Sequence, residues 1–280
     1  MLAEKPGFRM LKETTPIIAI WDDHDYGEND AGDDYPMKEE SRRKFCDFWG
    51  ESASSPRRTR DGIYTSYLYG ARGRRIQIIL PDLRWNRTPI RTLDLAGAKY
   101  DDWAKGVEER GEEVPGPYSR NPDSAATMIG ETQWRWIEEQ LAAPADLRIF
   151  GSSLQLIADF PGWEGWINYA NDQQRLFESI RRHRAEGLVA ISGDTHYGEI
   201  SMLEINTPYP IWDVTSSGLT EVWPVTPPNA RRVGEVYRAR NFGLIDIDWK
   251  KKSVDIGVHG ENGEKRLSQT ISLSALRITD

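Results

Sequence analysis

Residues 16–34, PIIAIWDDHDYGENDAGDD, constrain this chain more than any other stretch. A short apolar run, residues 16–20, breaks at Trp21 into a turn carrying Asp22, Asp23, His24, Asp25, Glu28, Asp30, Asp33 and Asp34. No Lys or Arg interrupts those acids. Carboxylates this crowded repel one another unless a cation sits among them. An apolar strand that ends in carboxylates and a histidine places them where open α/β sheets hold their ligands. The stretch therefore predicts a strand over residues 16–20 leading into a metal site. The plainer alternative is a solvated acidic loop, as most charge runs are.

A second motif, far along the chain, favours the metal site. Residues 188–192, LVAIS, read as a buried strand that runs into Gly193-Asp194-Thr195-His196. In an extended segment residues i and i+2 point the same way, about 6.5–7 Å apart. Asp194 and His196 then form half of a metal site, and Asp23 with Asn29, or Asp22, supplies the other half. Mixed Asp, Asn and His ligands suit hard or borderline divalent and trivalent ions. The two motifs hold two of the four histidines. The acidic turn does not fit a calcium-binding EF-loop, because Gly27 and Glu28 fall at the wrong places. No P-loop, G-x-G-x-x-G, H-E-x-x-H or G-x-S-x-G is present.

At 280 residues the chain can bury a full core, as one large domain or two smaller ones. No stretch approaches the roughly 18 apolar residues of a membrane span. A net charge of −8 argues against nucleic acid held through phosphate contacts. An acidic protein acting on phosphate esters needs local cations, either metal ions or arginines. The single cysteine, Cys46, excludes an intrachain disulfide and reads as a small buried hydrophobe. The N-terminus lacks the apolar core of a secretory signal and reads like the middle of a domain.

Other elements follow from periodicity and breakers. A helix starts at Asp34-Tyr35-Pro36 and carries Phe45 and Phe48. Residues 51–62 form a loop whose Arg57, Arg58 and Arg60 are either solvated or an anion-steering rim. Residues 63–69 and 75–80 make a hairpin, which puts Asp82 and Arg84 beyond a strand end, with Arg84 a candidate substrate contact. Residues 85–130 read as an irregular excursion. A helix over residues 130–143 and a strand over 147–154 follow. Trp163, Trp166 and Tyr169 either floor a pocket or anchor their loop. Asp172 is expected to cap the next helix, with His183 near its far end. Strands are expected near 210–217, 243–249 and 253–259, and His259 is not expected to be a ligand.

Taken together, WDDHDYGENDAGDDYPMKEES, SPRRTRDGIY, LPDLR, ATMIGETQWRWIEEQL, SSLQ and SGDTHYGEIS resemble the PhoD-like (alkaline phosphatase D) metallophosphatases, up to about residue 220. The resemblance implies a four-layer α/β/β/α metallophosphoesterase sandwich over residues 1–280. It implies two metal ions, typically iron and calcium, and hydrolysis of phosphomonoesters or phosphodiesters by metal-bound hydroxide. It assigns Asp23, Asn29, Asp194 and His196 as metal ligands and His24 as leaving-group donor. The family also carries an earlier GD-x-x-Y segment, ahead of the WDDHD stretch, whose Asp bridges the metals, and no GD-x-x-Y precedes Trp21 in this sequence. An N-terminally incomplete sandwich, weak or absent activity, and self-association through an uncovered face are therefore expected of the chain alone. The alternative is a non-catalytic metal- or phosphate-binding protein.

Overall fold

The computed structural model of the chain describes residues 2–112 and 114–279. Four strands lie parallel at the centre of the larger sheet: β2 (Ile76–Leu80), β3 (Leu147–Gly151), β4 (Leu188–Ser192) and β6 (Ile211–Ser216). Antiparallel β1 (Thr65–Tyr69) and β5 (Gly198–Leu203) close its edges, giving the order β1-β2-β3-β4-β6-β5. β3 and β4, LRIFG and LVAIS, are nearly all apolar on both faces, as the central strands of a parallel sheet usually are.

Helices cover one face. α5 (Glu131–Ala142) buries Trp134, Ile137 and Leu141, and α6 (Ala170–Arg182) buries Leu176, Phe177 and Ile180. These side chains share one core with Ile79, Phe150 and Ala190 of the sheet. On the opposite face, a three-stranded antiparallel sheet of β7 (Asn241–Asp248), β8 (Ser253–Gly260) and β9 (Lys265–Ser272) packs on β5 and β6. Val254, Ile256, Val258 and Ile271 point into that contact, while Arg266, Ser268, Thr270 and Ser272 face solvent. The described residues thus supply three layers of the expected four. Over β2, β3 and β4 the same face stays open as a trough of about 490 Å³ lined by Ile18, Ile20, Ile78, Ile149, Ile191 and Leu244.

Several expectations need correction. Residues 16–20 form no strand; a strand needs a hydrogen-bonding neighbour, and none of the described residues pairs with them. The next helix, α3 (Lys38–Phe48), starts after Met37, not at Asp34. The excursion at 85–130 holds a helix, α4 (Tyr100–Glu109). Strands β5 and β9 were not expected from the sequence. Asp172 is no cap: it lies inside α6, buried, and accepts from Thr127, the Met128 N–H and the Trp134 indole. Arg57 is no rim cation: it is buried, paired with Glu51 at 2.7 Å and bonded to the carbonyls of Ile63 and Ala19. Cys46 is buried and free, and His259 stacks on Phe242 away from the acidic turn. None of the described helices is long and apolar enough to cross a membrane.

Candidate metal and phosphoester site

The acidic turn is held from beneath by aromatic packing. Trp21 is fully buried, lies parallel to Trp85, and meets Tyr26 and Phe45 edge-on. Its indole N–H donates to Asp82 at 2.9 Å. Asp82 also accepts from the backbone N–H groups of Ile63, Arg84 and Trp85, so the acid after β2 is spent on tying three segments together. From this base rises a single helical turn, α2 (Asp23–Tyr26), and the Tyr26 hydroxyl donates back to Gly32 O at 2.8 Å. The carboxylates are fixed by this frame, and α3 packs against the turn.

A cavity of about 280 Å³ opens over the turn. Asp22, Asp23, His24, Asn29 and Asp30 line it from the acidic stretch, and Asp194 and His196 from the GDTH turn. The two motifs, about 170 residues apart in sequence, therefore meet. Carboxylate oxygens of Asp23, Asp30 and Glu164 lie within 4.8 Å of one another. The Asp23 carboxylate accepts from the N–H groups of His24 (2.7 Å) and Asp30 (3.2 Å), which fixes its orientation. Asp30 accepts from Asn29 at 2.7 Å and from the Tyr118 hydroxyl.

Glu164 differs from the other two. Its carboxylate, 3% exposed, receives Arg84 at 2.8 and 3.0 Å and is paired with Arg87. Arg84 is wholly buried and also grips Asp22 at 2.5 and 2.8 Å. Burial pulls the Arg84 guanidinium down, but Asp22, Asp23 and Asp194 outweigh that pull and hold it above its ordinary value. Two arginines thus balance Glu164 and Asp22, which line the cavity beside Asp23, Asp30 and Asp194. Burial, then the Asp22 charge, pushes the Asp194 carboxyl well above the usual carboxylate range, with Asp23 and Asp30 adding to it and Arg84 opposing it. That excess of negative charge is what a cation would relieve.

The GDTH turn is backbone-strained. Asp194 (φ +70°) and His196 (φ +59°) both occupy the left-handed region, as does Asp30 (φ +54°). Such residues cost on the order of 1–3 kcal/mol each and gather at functional sites. The extended i, i+2 geometry expected for Asp194 and His196 is therefore replaced by a tight turn, and both side chains nonetheless line the cavity. The turn rests on a buried polar cluster. Asp213 accepts from Ser192 (2.8 Å) and the Leu156 N–H (2.8 Å), and burial pushes its carboxyl up to about 6.

Of the residues singled out from sequence, Asp23, His24, Asn29, Asp194 and His196 line one cavity. His24 is exposed, its ring 3.8 Å from Asp23. Arg84 does not line the cavity; its guanidinium is taken up behind the lining by Asp22 and Glu164, which removes it as a substrate contact. Trp166 and Tyr169 are buried loop anchors, whereas Trp163 lines the cavity. Asp30, Glu164, Tyr118 and Trp223 were missed. Asp30 was one acid among many, and the other three sit in loops without periodicity.

The donor set fits a metal ion. It consists of carboxylates, an amide and an imidazole, and among the described residues the Nδ1 of His196 and the hydroxyl of Thr195 are buried without a hydrogen-bond partner. The family model for PhoD-like phosphatases matches residues 3–235, and the chain belongs to that family. A solved structure titled "Structure of PhoD" matches with a TM-score of 0.63 at 14% identity, over 93% of this chain and 54% of that one. The chain spans about half the length of that protein, and at this identity the likeness concerns the fold. Among proteins of curated function, none matches.

Proposed function

We propose that the chain carries the site of a metal-dependent phosphoric ester hydrolase acting on phosphomonoesters or phosphodiesters. The observation that supports it is the meeting of the two acid/His motifs in one cavity. Asp23, Asn29, Asp30, Asp194 and His196 would hold the cation, with calcium and iron as the ions the family resemblance suggests. A bound cation would neutralise phosphoryl oxygens and lower the pKa of an attacking water toward ~7. Asp23 is oriented by two backbone N–H groups and needs little reorganisation to bind. Arg84 and Arg87 keep Glu164 and Asp22 neutralised, so the charge left in the cavity is that of the proposed ligands. His24 is exposed at the cavity mouth, where an imidazole can hand a proton to a departing alkoxide.

A second reading, a non-catalytic metal- or phosphate-binding protein, is favoured by one observation. The carboxylates that come within 4.8 Å of one another do not extend to Asp194 or His196. Two metal ions sharing an attacking oxygen sit roughly 3.5–4 Å apart, and a bridging carboxylate holds them there. The deciding experiment assays an aryl phosphomonoester and an aryl phosphodiester with calcium, iron, manganese or zinc added, beside metal analysis of the purified chain. Chelator-sensitive turnover supports the hydrolase. Bound metal without turnover supports the second reading, and neither metal nor turnover sinks both.

A further inference from the structure

The cavity lining has two unlike parts. The acids and His196 make one; Phe160, Trp163 and Trp223 make the other. Trp163 and Trp223 touch edge to face, centroids 5.1 Å apart at 77°, and the Trp223 ring lies 5.6 Å from His196. An apolar wall thus begins directly beside a proposed ligand. It is not core: Trp21, Trp134 and Trp166 are fully buried, and each spends its indole N–H on a buried partner, whereas Trp163 and Trp223 are only partly covered.

Both rings are set in place by their backbones. The Trp223 backbone N–H donates to His196 O at 3.1 Å, which ties this segment to the GDTH turn. Trp163 follows Gly162, which packs against Gly116 so closely that a side chain at Gly116 would overlap the Gly162 carbonyl. The Tyr118 N–H donates to that same carbonyl at 3.2 Å. On its other side Trp163 is followed by Glu164, anchored by Arg84 and Arg87. Rigid aromatic surface that is already ordered gains binding energy from apolar contact without a further ordering cost.

We propose that this wall, Trp163 with Trp223, selects phosphoesters whose organic group is a flat, uncharged aromatic ring. The proposal rests on the phosphoester reading above. Two part-covered indoles set nearly at right angles offer the stacked and edge-on contacts an aromatic ring prefers, whereas a small polar alcohol would leave the wall wet.

The test is calorimetric binding to the 280-residue chain with manganese present, using inorganic phosphate, methylphosphonate, 2-aminoethylphosphonate and phenylphosphonate. Phenylphosphonate should bind about tenfold tighter than methylphosphonate. Trp223→Ala and Trp163→Ala should each remove most of that preference without changing the affinity for inorganic phosphate. Trp223→Phe should keep it, which guards against a folding defect in the alanine variants. Equal binding of the phenyl and methyl compounds would overturn the proposal. So would tighter binding of the aminoethyl compound, or alanine variants that weaken phosphate and phenylphosphonate alike. If phosphate and methylphosphonate fail to bind while phenylphosphonate binds through the tryptophans, the wall is supported and the phosphoester reading falls. If no probe binds, both fall.

Discussion

Replacing Arg84 by Met should destabilise the fold far more than the loss of a surface charge would. Arg84 is wholly buried and makes four contacts of 2.5–3.0 Å with Asp22 and Glu164. Methionine fills part of the volume but leaves Glu164, itself 3% exposed, with Arg87 alone, and leaves Asp22 unpaired beside Asp23 and Asp194. Breaking a buried pair by removing one partner costs about 3–5 kcal/mol. At roughly 2–4 °C per kcal/mol for a domain of this size, the melting temperature should fall by about 6–20 °C. Thermal unfolding followed by circular dichroism measures this, provided it is reversible. Glu164→Gln combined with Arg84→Met should be less destabilising than the sum of the two single changes, by about 1–3 kcal/mol. An Arg84→Met cost below about 1 kcal/mol, or strict additivity with Glu164→Gln, would refute the view that these residues form one charge-balanced group at the cavity.

Further outcomes follow from neighbouring groups. Asp213 has its folded pKa raised by burial to about 6 from an ordinary 3.8, so the folded state binds its proton more readily than the unfolded state. Its contribution to stability is therefore greatest below pH 3.8 and is lost as pH rises toward 6, a change on the order of 3 kcal/mol. Urea unfolding of wild type and Asp213→Asn at pH 4 and pH 7 should show wild type losing ground to the variant as pH rises; a constant difference would contradict this. His24→Ala should lower any turnover by about 10²–10⁴-fold while bound metal is unchanged, and metal lost in step with activity would make His24 a ligand instead. Gly116→Ala should cost about 1–3 kcal/mol by overpacking against Gly162, read as a shift in the urea midpoint, and an unchanged midpoint would deny the close approach.

What was legible in the sequence is what local chemistry controls. β3, β4 and α5 were readable because an apolar run or a helical stripe declares itself within a few residues. The candidate ligands Asp23, Asn29, Asp194 and His196 were readable because two compact motifs carried them. Residues 16–20 misled for the opposite reason. They have the composition of a strand, but pairing depends on a distant neighbour, and no neighbour pairs with them among the described residues. Arg84 misled because its position after β2 suggested exposure, whereas its partners, Asp22 and Glu164, come from segments 62 and 80 residues away. Trp163 and Trp223 could not be joined from sequence, since each lies in a loop whose course is set by contacts with other loops.

Calorimetric titration of manganese into the chain, and into Asp23→Asn and His196→Ala, tests the central claim most directly, because it needs no turnover. The two residues come from the two motifs, and the claim is that both motifs serve one cation site. Each substitution should weaken binding at least about tenfold, the factor expected when a metal's immediate surroundings are altered. Both variants should still unfold in one cooperative thermal transition, which separates a lost ligand from a lost fold. Affinity unchanged in both variants, or lost in only one of them, would contradict the claim.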